Sequence, residues 1–209
     1  MPRKTRIQFP GAVYHVLDRG DRREEIFRSD ADRELFLRTL GEACDRTGWR
    51  LHAYVLMSNH YHFLLETPEP NLVAGMKWFQ GSYSIRFNRR HDLCGHVFQG
   101  RYKAVPIDPE EPDYFLTVAD YIHLNPVRAG IIGPKDDLSA YAWSSFPAYL
   151  GSARQRPAWL EVAVVLGELG LEDRPSDRQR FAEYLKGRAA EERHPDKETA
   201  EGWKRMRRG

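Results

Sequence analysis

The sequence predicts an α+β fold, in which a four-stranded antiparallel sheet carries its helices on one face. Short apolar segments bounded by proline, glycine or asparagine recur along the first half of the chain, a pattern typical of strands. Between them stand longer segments whose apolar residues recur at helical spacing, which indicates helices. The resulting order is β-α-β-β-α-β-α. Its most economical arrangement is a ferredoxin-like sheet, similar to the RRM fold.

Four segments are predicted to be strands. The first contains a Pro10-Gly11 turn ahead of its apolar run. The second and third are joined by Ser58-Asn59, so they are expected to form an antiparallel hairpin. The four predicted strands cover residues 9–17, 49–57, 60–66 and 97–107.

Two helices are predicted between these strands. Ser29 and Asp32 have the spacing of a capping pair at the start of the first helix, and Gly48 ends it. The second helix is predicted over residues 72–87, with Asn71 as its N-cap.

Bulk composition limits the class of protein. The chain has 209 residues, of which 41% are hydrophobic and 30% charged, as in a globular protein. No apolar run approaches the roughly 20 residues that cross a membrane, and the basic N-terminus lacks the apolar segment of a secretory signal. Cys44 and Cys94 have no CxxC partner, which argues against a disulfide framework or a cysteine zinc site. We therefore expect a cytoplasmic protein without a membrane partner.

Three regions are predicted along the chain. Residues 1–150 are expected to form one domain, onto which an aromatic loop at residues 141–146 packs back. Residues 151–187 are expected to form a small helical extension. Its two short helices are predicted at residues 160–169 and 178–186. Residues 188–209 are rich in charge and poor in apolar residues, which predicts a solvated or disordered tail.

Basic and aromatic side chains alternate between Lys77 and Lys103, although the whole chain carries a net charge of only +2. Cations attract phosphates and aromatic rings stack on unpaired bases, so this segment predicts a surface for single-stranded nucleic acid. An amphipathic helix with a solvated basic face explains the same pattern. The candidate DNA-binding residues are Arg86, Arg89, Arg90, Arg101 and Lys103.

The run His60-Tyr61-His62 lies in the third predicted strand. Side chains alternate along a strand, so both imidazoles face one way, with Cα atoms about 6.5 to 7 Å apart, and Tyr61 faces the other way. Such a pair can hold one divalent ion and leave positions open for a substrate. Histidine pairs also occur on ordinary strand surfaces. His15, on a neighbouring strand, could also reach this place.

A third ligand would come from another part of the chain. Glu66, Asp120 and Asn125 are the candidates that the sequence offers. Mixed nitrogen and oxygen ligands suit Mn²⁺ or Mg²⁺, although two imidazoles also bind Zn²⁺.

A third helix is predicted from residue 112 to residue 124, where Pro126 stops it. Tyr121 and Asn125 are four residues apart, so they are expected on one helix face, a turn from each other. The phenol could act as a nucleophile and the amide oxygen as a metal ligand. The alternative is that Tyr121 is an aromatic residue at the edge of the core and Asn125 a C-terminal cap.

Taken in order, these motifs resemble those of the single-tyrosine HUH transposases, in particular the REP-associated tyrosine transposases within the IS200-like group. The likeness covers residues 8–151 and weakens toward residue 186. The matching runs are residues 9–16 (FPGAVYHV), 57–62 (MSNHYH), 98–103 (FQGRYK), 120–130 (DYIHLNPVRAG) and 141–145 (YAWSS).

The resemblance implies an HUH endonuclease domain that cuts single-stranded or hairpin DNA from repetitive sequences. By position, His60 and His62 correspond to the metal ligands and Tyr121 to the nucleophile, which forms a 5′-phosphotyrosine intermediate. Asn125 stands where the family places a polar third ligand, for which some relatives use glutamine. The resemblance implies a divalent metal ion as cofactor, and either a monomer or a homodimer that shares its tyrosine helices.

Two other functions are compatible with the sequence. The chain could be a non-catalytic, domesticated protein that binds DNA hairpins, although such a protein would not need His60, His62 and Tyr121 together. It could also be a metallohydrolase that acts on a small molecule through activated water. That alternative forms no covalent intermediate and leaves the basic and aromatic segment unexplained.

Overall fold

A computed structural model describes residues 6–108, 110–111, 113–133 and 136–192 of the chain. Four strands form one sheet in the order β2-β3-β1-β4, and β1 pairs antiparallel with both β3 and β4. This sheet confirms the predicted α+β class. The strands are β1 (Ala12–Arg19), β2 (Arg50–Leu56), β3 (His60–Thr67) and β4 (Lys103–Pro106).

Two α-helices of the described part of the chain lie between strands, and the others come after the last strand. Within the described residues, none is long and apolar enough to cross a membrane. Three short 3-10 helices lie at Asp21–Arg23, Leu138–Ala140 and Ala153–Gln155. The α-helices are α1 (Asp30–Thr47), α2 (Leu72–His91), α3 (Tyr114–His123), α4 (Asn125–Arg128), α5 (Phe146–Leu150), α6 (Ala163–Glu168) and α7 (Pro175–Glu192).

The chain divides into two compact units. Among the described residues, the first comprises residues 6–51 and 56–107, and the second comprises residues 52–55 and those between 108 and 192. The predicted domain of residues 1–150 is a different division of the chain. The bounds of that domain and of the helical extension stay a prediction.

The core of the first unit lies between the sheet and the helices α1 and α2. Phe36 of α1 is fully buried and contacts the rings of Tyr61 and Phe63 on β3 and of Phe79 and Tyr83 on α2. Both helices therefore cover the same face of β3, as predicted. Because strand side chains alternate, His60 and His62 are directed to the opposite face.

Helix α1 begins and ends as its sequence predicts. Ser29 and Asp32 form a reciprocal capping box, and the buried Asp32 carboxylate accepts hydrogen bonds from the backbone N–H groups of Arg28 and Ser29, each at 3.0 Å. At the other end Gly48 adopts φ 72°, a left-handed conformation that a residue without Cβ adopts readily.

Asn71 is the N-cap residue of α2, as predicted. Its side chain does not bond to the helix, because its Oδ1 accepts from Trp49 Nε1 at 2.6 Å and its Nδ2 donates to Thr47 O at 2.8 Å. The helix continues to His91 rather than ending at the predicted residue 87.

The fourth strand is much shorter than the predicted span of residues 97–107. Phe98 forms only an isolated bridge with Gly20. Gly100 then turns the chain with φ 75°, a conformation outside the strand region, and regular pairing begins only at Lys103.

The second unit differs from prediction at the end of α3. The helix ends at His123, before Pro126, and α4 starts at Asn125 with the proline in its second position. Proline is accepted there because the first N–H groups of a helix have no partner within the helix. The predicted arrest at Pro126 is therefore a break at Leu124, followed by one further turn.

The aromatic loop and the C-terminal segment are also defined. Ser144 forms a bridge with Val55, and the Ser145 N–H donates to Tyr54 O at 2.9 Å, so the loop packs onto residues 52–55 as expected. Helix α7 continues to Glu192, five residues into the span predicted as a charged tail. Residues 193–209 of that prediction lie outside the described residues.

Candidate functional site

The two histidines of the HxH motif lie on one face of β3, as the strand period predicts. Their ring centroids are 5.3 Å apart and their planes are nearly perpendicular, at 86°. His62 is buried with 4% of its surface exposed, and His60 is partly exposed. The two rings thus present different edges at neighbouring points of a single sheet face.

His15 joins this pair from the adjacent strand β1. Its Nε2 lies 2.9 Å from His62 Nδ1, and the two rings stack with centroids 5.2 Å apart. The strand register explains the contact, because His15 pairs with Leu64 and is therefore the diagonal neighbour of His62. Burial lowers the pKa of His15 to about 4, so its imidazole is neutral near pH 7.

His60 is fixed through one particular nitrogen. Its Nδ1 lies 2.8 Å from Asn59 Oδ1, and the Asn59 amide donates to Arg23 O at 3.0 Å. A carboxamide oxygen only accepts, so His60 Nδ1 carries the proton and Nε2 carries the lone pair. When His62 Nδ1 donates to the neutral His15, His62 Nε2 likewise carries the lone pair. Metal-binding histidines are commonly oriented through their other ring nitrogen in this way.

The two-imidazole set suits a divalent cation that completes its shell with oxygen ligands. Among the residues that the structure describes, no group of three or more His, Cys, Asp or Glu side chains is arranged to hold a metal ion. Amide, backbone and water oxygens can also complete such a shell. Of the three candidates from the sequence, only Asn125 is not a carboxylate.

The two carboxylate candidates are engaged elsewhere. Glu66 lies four residues beyond His62 on β3, roughly 13 Å along the strand, and pairs with Arg50 at 3.3 Å. Asp120 Oδ2 accepts from Tyr184 Oη at 2.6 Å and from Arg188 Nε at 3.1 Å, both on α7. Neither arrangement favours metal binding.

Tyr121 lies near the end of α3, in the second unit, with 4% of its surface exposed. The guanidinium carbon of Arg128 lies 4.3 Å from the centroid of its ring, and Arg128 Nη1 donates to the Tyr121 carbonyl oxygen at 2.8 Å. Asn125 is buried as the first residue of α4. Tyr121 and Asn125 thus lie on two consecutive helices rather than on one continuous helix.

The predicted DNA-binding residues fall into two groups. Arg86 is held by Glu42, with nitrogen–oxygen distances of 2.9 and 2.7 Å, and Arg90 pairs with Asp32 at 3.2 Å. Arg90 is nevertheless exposed, as are Arg89, Arg101 and Lys103. DNA binding by all five stays a prediction, which Arg89, Arg101 and Lys103 fit best.

Two polar clusters were missed from the sequence. On the helix-covered face of the sheet, Gln80 donates to Asp18 Oδ2 at 2.6 Å and to Tyr61 Oη at 2.9 Å. Burial raises the pKa of Asp18 to about 6. The second cluster comprises Asp120 with its two partners on α7. Both join residues far apart in the chain, so no local pattern indicates them.

Comparison with known proteins supplies the family. Residues 8–125 match the family model of the IS200-like transposases, and no curated protein is similar in sequence to this chain. A solved REP-associated tyrosine transposase bound to a REP hairpin is similar in fold, with a TM-score of 0.58 and 18% identity over 71% of this chain and 84% of that chain. A structure assigned as a transposase from Deinococcus radiodurans R1 has a TM-score of 0.40 and 17% identity over 52% of this chain and 88% of that chain. This TM-score is too low to indicate a shared fold.

The family match spans more than half of the chain and includes the HxH strand and the tyrosine helix. Members of this family are DNA-processing enzymes that generally use a divalent metal ion. The chain belongs to the IS200-like transposase family.

Proposed function

We propose that this protein is a metal-dependent endonuclease and strand transferase that acts on single-stranded, hairpin-forming DNA through a covalent tyrosine intermediate. His60 and His62 bind Mg²⁺ or Mn²⁺ through their Nε2 atoms, and Asn125 supplies an oxygen ligand. Tyr121 is the nucleophile. The observation that carries the proposal is the anchoring of both histidines at Nδ1, by Asn59 and by His15.

Cleavage of DNA by this site is a transfer of the phosphate from a 3′-oxygen to the Tyr121 hydroxyl. A divalent ion held by His60 and His62 would supply Lewis-acid polarisation of the scissile phosphate and would offset the charge of the pentavalent transition state. Tyr121 Oη loses its proton to water and forms a bond to phosphorus, while the bond from phosphorus to the 3′-oxygen breaks and that oxygen is protonated. The products are a 5′-phosphotyrosine and a free 3′-hydroxyl. The reverse attack by another strand's 3′-hydroxyl rejoins DNA.

Hairpin DNA is proposed as the substrate on two grounds. The structure that is similar in fold was solved with a REP hairpin, although a likeness at this level of identity concerns the fold. Exposed basic residues in this chain supply the charge that a DNA backbone requires. They are Arg89, Arg101 and Lys103.

The direction of the attack provides a sharp test. A pool of hairpin oligonucleotides with randomised single-stranded flanks is incubated with protein and Mn²⁺, then run on a denaturing gel. A label at the 3′ end should migrate with the protein, and a label at the 5′ end should appear in a shorter free fragment. Tyr121→Phe should abolish the adduct and retain hairpin binding, whereas Tyr114→Phe, on the same helix, should leave both unchanged.

Two outcomes contradict the proposal. An adduct that persists in Tyr121→Phe excludes this residue as the nucleophile. Hairpin binding without cleavage in the wild type, with either metal, indicates instead the non-catalytic hairpin-binding protein.

A further inference from the structure

Arg128 makes two contacts with one residue, Tyr121. Its guanidinium lies over the phenol ring, with Cζ 4.3 Å from the centroid, and its Nη1 donates to the Tyr121 carbonyl oxygen at 2.8 Å. The carbonyl belongs to the last turn of α3, where cations are favoured by the helix dipole and by unpaired carbonyl groups. Arg128 therefore fixes both the backbone and the ring face of Tyr121.

The carboxylate next to Tyr121 in the chain is held by side chains of α7. Asp120 precedes Tyr121 and is buried, and its Oδ2 is taken by Tyr184 and Arg188 while its Oδ1 has no hydrogen-bond partner within the described residues. Burial raises the pKa of Asp120 to about 6, and the charge of Arg128 is one of the effects that oppose this rise. Asp120 is therefore held by α7, while the two contacts described above join Arg128 to Tyr121.

The position of Arg128 has a chemical consequence. Attack on phosphorus requires the phenol to lose its proton, and the phenolate charge spreads into the ring. A cation over the ring face is attracted more strongly to a phenolate than to a phenol. Arginine stays protonated throughout, so it acts through its charge and orientation and cannot be the base. The guanidinium lies over the ring before the reaction begins, so the stabilisation requires no rearrangement.

We propose that Arg128 is a positioning residue that orients the Tyr121 ring and stabilises its phenolate, both when the tyrosine attacks and when it leaves. This inference rests on the proposed function of Tyr121. In the cleavage step the phenol proton goes to water, the bond between Tyr121 Oη and phosphorus forms and the bond to the 3′-oxygen breaks. In rejoining, the same cation stabilises the phenolate as leaving group.

The test compares three variants in single-turnover cleavage of a hairpin oligonucleotide selected from the randomised pool. Arg128→Gln removes the charge and should slow adduct formation roughly 2- to 30-fold near pH 7. The defect should shrink as the pH rises, because hydroxide then removes the phenol proton without help from Arg128. Arg128→Lys keeps the charge and should retain the wild-type pH profile. Arg154→Gln, at an exposed arginine of the same unit, should change nothing.

A second measurement separates charge from structure. Replacing Tyr121 by 3,5-difluorotyrosine, which ionises more readily, should narrow the difference between Arg128→Gln and the wild type. Hairpin affinity and melting temperature serve as controls for folding. If Arg128→Gln does not fold, Arg128→Lys decides, and a pH profile displaced from the wild type overturns the inference.

The two proposals fail in different ways. If the wild-type protein forms no adduct at Tyr121, the proposed function fails and the role of Arg128 fails with it. If the wild type forms the adduct and Arg128→Gln forms it at the same rate and with the same pH profile, only the inference about Arg128 is wrong.

Discussion

The histidine strand and the tyrosine helix are supported in different ways. His15, His60 and His62 lie on paired strands, and their spacing and direction follow from the antiparallel register. Tyr121 lies on a helix of 10 residues that ends three residues before Pro126. Side chains from later helices hold that helix through hydrogen bonds. The positions of the three histidines thus follow from local periodicity, whereas the position of Tyr121 depends on contacts with helices that follow α3 in the chain.

The largest effect is expected from removing a histidine of the HxH motif. His62→Ala removes one of the two proposed imidazole ligands, so it should lower the cleavage rate at least about 100-fold at fixed Mn²⁺ while hairpin binding persists. Tyr61→Phe, between the two histidines but on the other face, should retain cleavage. Single-turnover rates and hairpin affinities measure both. Equal losses in the two variants would show that the strand is needed for folding and not for metal binding.

The next largest effect is expected from removing His15, which contacts the proposed ligand His62. His15→Ala removes the group that orients His62, and losses of roughly 10- to 100-fold in metal affinity are typical of such changes. Rates measured across a Mn²⁺ titration should show a higher half-saturating concentration and partial rescue at high metal. His96→Ala, at an exposed histidine, is the matched control. A lower rate that no concentration of Mn²⁺ restores would contradict this role.

The link between α3 and α7 should be visible in the pH dependence of stability. Burial raises the pKa of Asp120 to about 6 from its ordinary 3.8. The stabilisation from its neutral form is therefore complete below the ordinary value and is lost as the pH rises through about 6. The free energy of unfolding of the wild type, relative to Asp120→Asn, should fall by up to about 3 kcal/mol over this range.

A second variant sharpens that measurement. The Tyr184 hydroxyl donates to Asp120 and lowers its pKa, so Tyr184→Phe should move the step to higher pH. Denaturant unfolding at a series of pH values measures both curves. A difference between wild type and Asp120→Asn that is flat from pH 4 to pH 7 would contradict the account.

The smallest effects are expected on the basic surface. Arg101→Gln and Lys103→Gln should each weaken hairpin binding and lower the slope of log affinity against log salt by about 1. Arg86→Gln should leave that slope nearly unchanged, because Glu42 already holds the guanidinium, and should cost up to about 1 kcal/mol of stability. Affinity titrations at several salt concentrations distinguish them. A loss of slope in Arg86→Gln would show that DNA competes for this arginine.

Much of the fold follows from local sequence signals. The capping box at Ser29 and Asp32, the hairpin turn before His60 and the alternation of strand residues depend on neighbours within a few positions, so the sequence carries them. Predictions are incomplete where distant groups compete. Asn71 stands at the predicted N-cap of α2, but its side chain bonds to Trp49 and Thr47 rather than to the helix.

The candidate site divides in the same way. The shared face of His60 and His62 and the approach of His15 follow from the period of a strand and the adjacency of two strands. The contacts of Arg128 with Tyr121 depend on the break at Leu124, which the expected single helix did not contain. Asp120 bonds to Tyr184 and Arg188, which lie 64 and 68 positions later in the chain. No pattern in the sequence indicates contacts between residues so far apart.

The central claim is that Tyr121 becomes covalently linked to DNA, and mass spectrometry of the adduct tests it most directly. Wild-type protein is trapped with a hairpin oligonucleotide in Mn²⁺, the DNA is digested to a short remnant and the protein is cleaved into peptides. The account predicts a 5′-phosphonucleotide on Tyr121 and none on Tyr114, which lies on the same helix. A remnant on Tyr114 or on any other residue would contradict it.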